Sequence, residues 1–200
     1  MVAQIRPGSW RKGRARRFAS AVGHTSAPNL IILTGAPGSG KTAILSRLSS
    51  EFRCVDKPAR EVLAEQRAIG GTGTWDKDPS LFVHLLLQRS IEKYEAARNT
   101  GEARSSLPVE SVAYALRAEV DPTPSLAAID ECRYRPYVLF LEPWSNIYET
   151  DEERVMSFDD TVSFSETLGE VYERSGYTLV VVPYGSVEDR AAFVRMSVAQ

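Results

Sequence analysis

An uninterrupted β-branched and aliphatic run, Leu30-Ile31-Ile32-Leu33-Thr34, stops abruptly in Gly35-Ala36-Pro37-Gly38-Ser39-Gly40-Lys41-Thr42. No other stretch limits the fold so tightly. A strand that is apolar on both faces belongs in a parallel sheet covered on two sides. After Lys41 the spacing turns helical, with Ile44, Leu45 and Leu48 on one face and Ser49 and Ser50 near the end. Strand, glycine loop and helix thus satisfy the full G-x-x-x-x-G-K-[ST] pattern in the context that confirms it. Gly35, Gly38 and Gly40 let the backbone curl, so that the loop amides and the helix amino terminus together hold a phosphate. Within Gly35, Ala36, Pro37, Gly38, Ser39, Gly40, Lys41 and Thr42, the Lys41 ammonium is expected to reach the β- and γ-phosphates of a nucleotide and the Thr42 hydroxyl to meet Mg²⁺. A turn that only joined strand to helix would explain neither Lys41 nor Thr42.

The remaining pattern alternates strands with helices. Arg53-Cys54-Val55 reads as a short strand, and Asp56 as a carboxylate able to cap a helix that starts near Pro58 and runs to about Ala68. Gly70-Gly71-Thr72-Gly73-Thr74 breaks that helix. Phe82, Leu85, Leu86 and Ile91 predict a long amphipathic helix over 78–98. A polar stretch at 99–109 precedes a helix from Glu110 to about Ala118, a turn at Asp121-Pro122-Thr123-Pro124 and a short helix through Cys132. Tyr137-Val138-Leu139-Phe140-Leu141 is the second strong strand, followed by a charged loop at 149–154 and a helix from Phe158 to about Glu173. Tyr177 to Val182 is the next strand, and Val187 to Val194 the closing helix. The expected architecture is α/β, a three-layer P-loop fold of kinase-like type with a mostly parallel central sheet and ligands at the carboxyl ends of the strands.

Two hundred residues accommodate one such domain, expected over 29–200. Residues 1–28 hold Arg6, Arg11, Lys12, Arg14, Arg16 and Arg17 and no acid, leaving 18 basic against 26 acidic residues in the body. The segment has no sustained apolar periodicity, which predicts a solvated, disordered extension. Its charge leaves contact with nucleic acid, an anionic membrane surface or a transit function open. Cys54 and Cys132 are far apart and lack zinc or disulfide spacing, which suits a reducing cytoplasm. The longest uncharged apolar run, Asn29 to Gly40, is well below the roughly 20 residues of a membrane span.

Several side chains are candidates for chemistry beyond the loop. Asp56 and Arg60 lie one helical turn apart, so both can face a cleft: Asp56 to accept from a hydroxyl or act as base, Arg60 to take a phosphate or carboxylate. A cap and a surface pair is the alternative. Glu142 follows a strong strand and is a candidate for the metal's shell, or else a solvent-facing carboxylate pairing with Arg133 or Arg135. Arg154, in Asp151-Glu152-Glu153-Arg154, sits where a lid would neutralise transferring charge, with a solvated turn as its alternative. Trp75 is either an aromatic plate on a glycine flap or core, and Pro183-Tyr184-Gly185-Ser186 either lines an adenine or, through Ser186, caps the last helix. His84, among apolar neighbours on a helix, reads as packed or surface.

The glycine motif, then Val55-Asp56-Lys57-Pro58-Ala59-Arg60-Glu61-Val62, Gly70-Gly71, Trp75-Asp76, Ala113-Tyr114, Arg133-Tyr134, Asp151-Glu152-Glu153-Arg154, Tyr172, Gly176-Tyr177, Val182-Pro183 and Ser186-Val187-Glu188-Asp189-Arg190 occur in an order that resembles the ATPases of the AAA-domain family related to nicotinamide riboside kinase. The resemblance covers about residues 29–196. It implies a five-stranded parallel sheet, ATP with Mg²⁺, phosphate binding by Gly38, Gly40, Lys41 and Thr42, and cleft positions for Asp56 and Arg60. It departs at Ser105-Ser106, where members show Asp-Arg shortly before the Ala-Tyr pair. The functions in view are therefore an ATPase or small-molecule, nucleoside-type kinase with an unknown acceptor, and a nucleotide-binding regulatory module with little turnover. No Asn-Lys-x-Asp motif for guanine occurs.

Overall fold

The structure, a computed structural model, describes residues 32–52, 58–100, 108–149 and 156–199. The basic segment 1–28, the strand expected at Arg53-Cys54-Val55 with Asp56, the polar stretch containing Ser105-Ser106, and Asp151 to Arg154 lie outside the described residues.

Three strands, β1 (Ile32–Gly35), β2 (Tyr137–Leu141) and β3 (Thr178–Val181), form a parallel sheet in the order β1-β2-β3 among the described residues. The apolar runs that predicted them are buried in β1 and β2, whereas β3 leaves Thr178 and Val181 exposed at the sheet edge. Gly35 pairs with Leu141, and Phe140 with Val181, so the carboxyl ends of all three strands lie side by side. The loops that leave them are thereby gathered on one edge of the sheet.

Seven helices accompany the strands among the described residues: α1 (Lys41–Leu48), α2 (Pro58–Ala68), α3 (Pro79–Thr100), α4 (Pro108–Arg117), α5 (Thr123–Glu131), α6 (Phe158–Arg174) and α7 (Val187–Val198). Strand alternation decides which helices each strand residue meets. Leu33, Leu139 and Leu141 pack with Ile44 and Leu48 of α1 and Ala191 and Val194 of α7. Ile32, Val138 and Phe140 pack on the other face with Val112 of α4 and Phe164, Leu168 and Tyr172 of α6. The result is the expected three-layer α/β arrangement of helix, sheet and helix.

The caps follow the sequence closely. Ser157 accepts from the Asp160 amide at the start of α6, and Ser186 from the Asp189 amide at the start of α7, each at 3.1 Å. The hydroxyl thus satisfies an amide that the first helical turn leaves without a partner. Trp75 belongs to a small apolar cluster built on Val62, Phe82 and Leu86; its ring meets Phe82 edge-on at 6.2 Å and Tyr114 at 5.4 Å. It is core in this arrangement, and His84 is exposed.

An ion network fastens α2 to α3. Arg89 donates to Glu61 at 3.2 Å, to Glu65 at 2.7 Å and to Glu92 at 3.2 Å, while Lys93 donates to Glu61 at 2.5 Å. The hydrogen bond from Arg89 holds the Glu65 carboxyl below the usual carboxylate range. A depressed carboxyl pKa stabilises the fold above that range, and the contribution disappears as pH falls through the folded-state value. Arg89→Met should therefore lower the urea midpoint at about pH 7 and narrow the gap between the midpoints at about pH 7 and about pH 3. An unchanged gap would show that Arg89 has no part in the acid response.

Candidate functional site

Gly35 to Thr42 leave β1 at the carboxyl edge and enter α1 through left-handed backbone. Gly38 and Gly40 have φ of 79° and 85°, angles that side-chain-bearing residues seldom adopt. Gly40 occupies the N-cap position of α1 without a side-chain cap, and no acidic residue lies in the first turn. By contrast, α6 and α7 start with a capping serine and two acids each. The amides and positive dipole end of α1 are thus free of any carboxylate of their own, the state that suits an anion.

Lys41 is buried at 4% exposure, and its ammonium donates to the Gly35 carbonyl, to the Ala36 carbonyl at 2.6 Å and to Ser39 Oγ at 2.9 Å. A compact cation drawn into a ring of loop dipoles lies close enough to meet a phosphate cradled by the same ring. Thr42 is exposed at the start of α1. Glycine geometry, uncapped helix and buried lysine together fit a nucleotide polyphosphate.

The cleft beside this loop is lined by Gly35, Pro37, Gly38 and Lys41 on one side, by Ala59, Arg60 and Leu63 of α2, by Glu110 and Tyr114 of α4, and by Phe164 of α6. Glu110 is 8% exposed and accepts a hydrogen bond from the Thr34 hydroxyl at 3.3 Å. Thr34 is the residue that precedes the glycine loop, so this bond joins a carboxylate to the root of the phosphate cradle. Burial first, and then the negative charge of Glu110, push the Tyr114 and Tyr172 hydroxyls above the usual tyrosine range. The Tyr114 and Phe164 rings meet at 4.7 Å with planes tilted by 43°.

Arg190 of α7 supports the loop from the opposite side. It is 3% exposed, donates through a terminal nitrogen to the Ser39 carbonyl at 2.9 Å, and stands so near Gly40 that a Cβ there would lie 2.7 Å from its other terminal nitrogen. Its Nε is buried without a hydrogen-bond partner among the described residues. Burial lowers its pKa below the usual guanidinium range, an effect partly countered by Tyr184. The guanidinium lies over the Trp144 ring at 5.8 Å from the centroid, and Trp144 stacks at 5.1 Å and 33° on Tyr184.

A profile of the AAA domain matches residues 30–190. The chain belongs to this family of P-loop NTPases. An AAA domain of this kind supports nucleotide binding. A search of curated proteins found no match.

Of the residues expected from sequence, the AAA domain brings Gly35, Pro37, Gly38, Lys41 and Arg60 to one cleft. Asp56 and Arg154 lie outside the described residues. Glu142 is exposed at the end of β2, within 3.4 Å of the Tyr184 hydroxyl, which also donates to the Pro143 carbonyl at 3.0 Å. Among the described residues no group of three or more His, Cys, Asp or Glu side chains is placed to hold a metal ion, and no helix is long and apolar enough to cross a membrane.

Glu110 and Arg190 were not singled out from the sequence. Glu110 opens α4, where an acid reads as a complement to the helix dipole. The only signal for burial was its position among Pro108, Val109, Ser111 and Val112, all of which are buried. Arg190 stands one turn past the Ser186 cap, and its partner Ser39 is 151 residues away.

Proposed function

We propose that this AAA domain binds ATP with Mg²⁺ and transfers or hydrolyses its terminal phosphate, as a small ATPase or a small-molecule kinase of nucleoside type. The observation that carries this reading is the second compartment: the phosphate loop does not open to solvent alone but shares a cleft with Arg60, Glu110, Tyr114 and Phe164. A domain that only sensed a nucleotide would have no use for a polar and aromatic chamber beside the terminal phosphate. The order of motifs that resembles the relatives of nicotinamide riboside kinase supports the same choice.

In this reading Lys41 meets the β- and γ-phosphates and the Thr42 hydroxyl joins the Mg²⁺ shell, with Glu142 as its carboxylate beyond the loop. Bound there, Mg²⁺ supplies charge neutralisation for the polyphosphate. Arg60 holds an anionic group of the acceptor, Asp56 grips the acceptor, and Arg154 neutralises charge on the phosphoryl group in transit. The adenine rests against the Trp144–Tyr184 pair at the start of α7. Ser105-Ser106, in place of Asp-Arg, favours a second reading in which the domain binds ATP as a regulatory module without turnover; release of ADP separates the two.

Calorimetric titration tests the binding half. The domain should bind Mg-ATP saturably and more tightly than Mg-GTP. Trp144→Ala should weaken ATP by about 3- to 10-fold through lost stacking while leaving inorganic tripolyphosphate unaffected. Equal weakening of both ligands would remove the adenine from this platform.

A further inference from the structure

We propose that Glu110 is the catalytic carboxylate of this domain: it takes the proton from the hydroxyl of a small acceptor whose flat apolar face rests on Tyr114 and Phe164. The proposal rests on the ATP-using reading above and identifies the residue and acceptor class it needs.

Three observations converge on it. Glu110 is a buried carboxylate that lines the cleft together with Lys41, Gly38 and Arg60, so it shares the chamber in which a terminal phosphate and an acceptor would meet. Its Oε1 is held by the Thr34 hydroxyl at 3.3 Å, and Thr34 is immediately followed by the loop, which ties the carboxylate to the phosphate cradle and not to a mobile surface. Its helix neighbour one turn on, Tyr114, packs against Phe164 at 4.7 Å and against Phe82 at 5.4 Å, forming an aromatic wall directly beside the carboxylate.

The chemistry balances without a further reactant. The acceptor hydroxyl oxygen forms a bond to the γ-phosphorus as the bond from that phosphorus to the β–γ bridging oxygen breaks. The electron pair of the broken bond leaves with ADP, and the hydroxyl proton passes to the Glu110 carboxylate, from which solvent later removes it. An acceptor that fits these walls is small, carries a hydroxyl and presents a ring, as a ribonucleoside does; an anionic substituent would meet Arg60. Water is the background acceptor in the same step.

The test uses the full chain, with ADP release from Mg-ATP measured in water alone and with a panel of ribonucleosides, and ATP affinity measured separately. Glu110→Gln should lower the maximal rate by about 100-fold or more, the span a general base supplies. ATP affinity should stay within about twofold and the Mg²⁺ requirement should not move, because the cradle is intact. Glu110→Asp, which keeps the charge and fold but withdraws the carboxylate by one methylene, should fall by about tenfold. At least one ribonucleoside should raise ADP release above the water rate in the wild type. Wild-type rates in either variant, a loss restored by excess Mg²⁺, or ATP affinity falling in step with the rate would overturn the assignment. A wild-type chain that binds ATP and releases no ADP would also overturn it while leaving the nucleotide site standing, whereas failure to bind ATP would instead remove the reading on which it rests.

Discussion

Lys41→Ala is expected to weaken ATP binding by about 10- to 100-fold, with little change in the thermal unfolding midpoint. The ammonium is desolvated at the centre of the loop, where it already donates to the Ala36 carbonyl and Ser39 Oγ and lies beside the uncapped start of α1. A charged hydrogen bond in such surroundings contributes about 1.5–3 kcal/mol, and each 1.4 kcal/mol is about a factor of ten in affinity. Lys41→Arg should not restore binding, because a planar fork cannot enter a ring shaped around a compact ammonium. Fluorescence titration with a labelled ATP analogue gives the constants directly. Affinity within about twofold of wild type would mean that the phosphates sit elsewhere.

Gly35→Ala should have the largest effect on folding. Gly35 is both the last residue of β1 and the first of the phosphate loop, and its φ of +142° lies outside what a side-chain-bearing residue adopts readily. A Cβ there would stand 2.2 Å from the Leu141 carbonyl oxygen, an atom of the neighbouring strand that cannot turn aside. Backbone strain and overpacking at such a position add to about 3–5 kcal/mol, a large share of the stability of a domain this size. Chemical denaturation should show a much lower midpoint or no folded baseline. A loss under about 1 kcal/mol would show that β1 and β2 can separate at this point without cost. Lys41→Ala should spare the fold and empty the site, whereas Gly35→Ala should remove both.

What the sequence made legible was whatever depends on neighbours along the chain. The strand into Gly35, the helix from Lys41, the limits of β2, and the caps Ser157 and Ser186 all follow from spacing or from a residue's action on amides two or three positions away. Residues whose role depends on distant partners were not legible. Trp75 could be a plate on a flap or core until Phe82 and Tyr114 were brought against it. Glu142 is marked by its place at the end of a strong strand, a position that sequence alone reveals. Glu110 reaches the cleft from a helix, by packing against Thr34, which is 76 residues distant. Helical periodicity gives little help in α4, where Pro108 to Ala113 are buried without interruption, so an amphipathic stripe cannot mark which side chain faces the site.

The clasp between Arg190 and the Ser39 carbonyl has a consequence in time. The two residues are separated by 151 positions, and β2, which flanks Gly35, also comes a hundred residues after the loop. A ribosome adding about 5–20 residues per second therefore exposes the glycine loop for roughly 8–30 s before Arg190 is made. Through that interval the nascent chain carries the nucleotide signature without the arginine that closes its back. Ribosome-stalled chains ending before α7 should accordingly fail to retain ATP, and retention should begin only once α7 has cleared the exit tunnel.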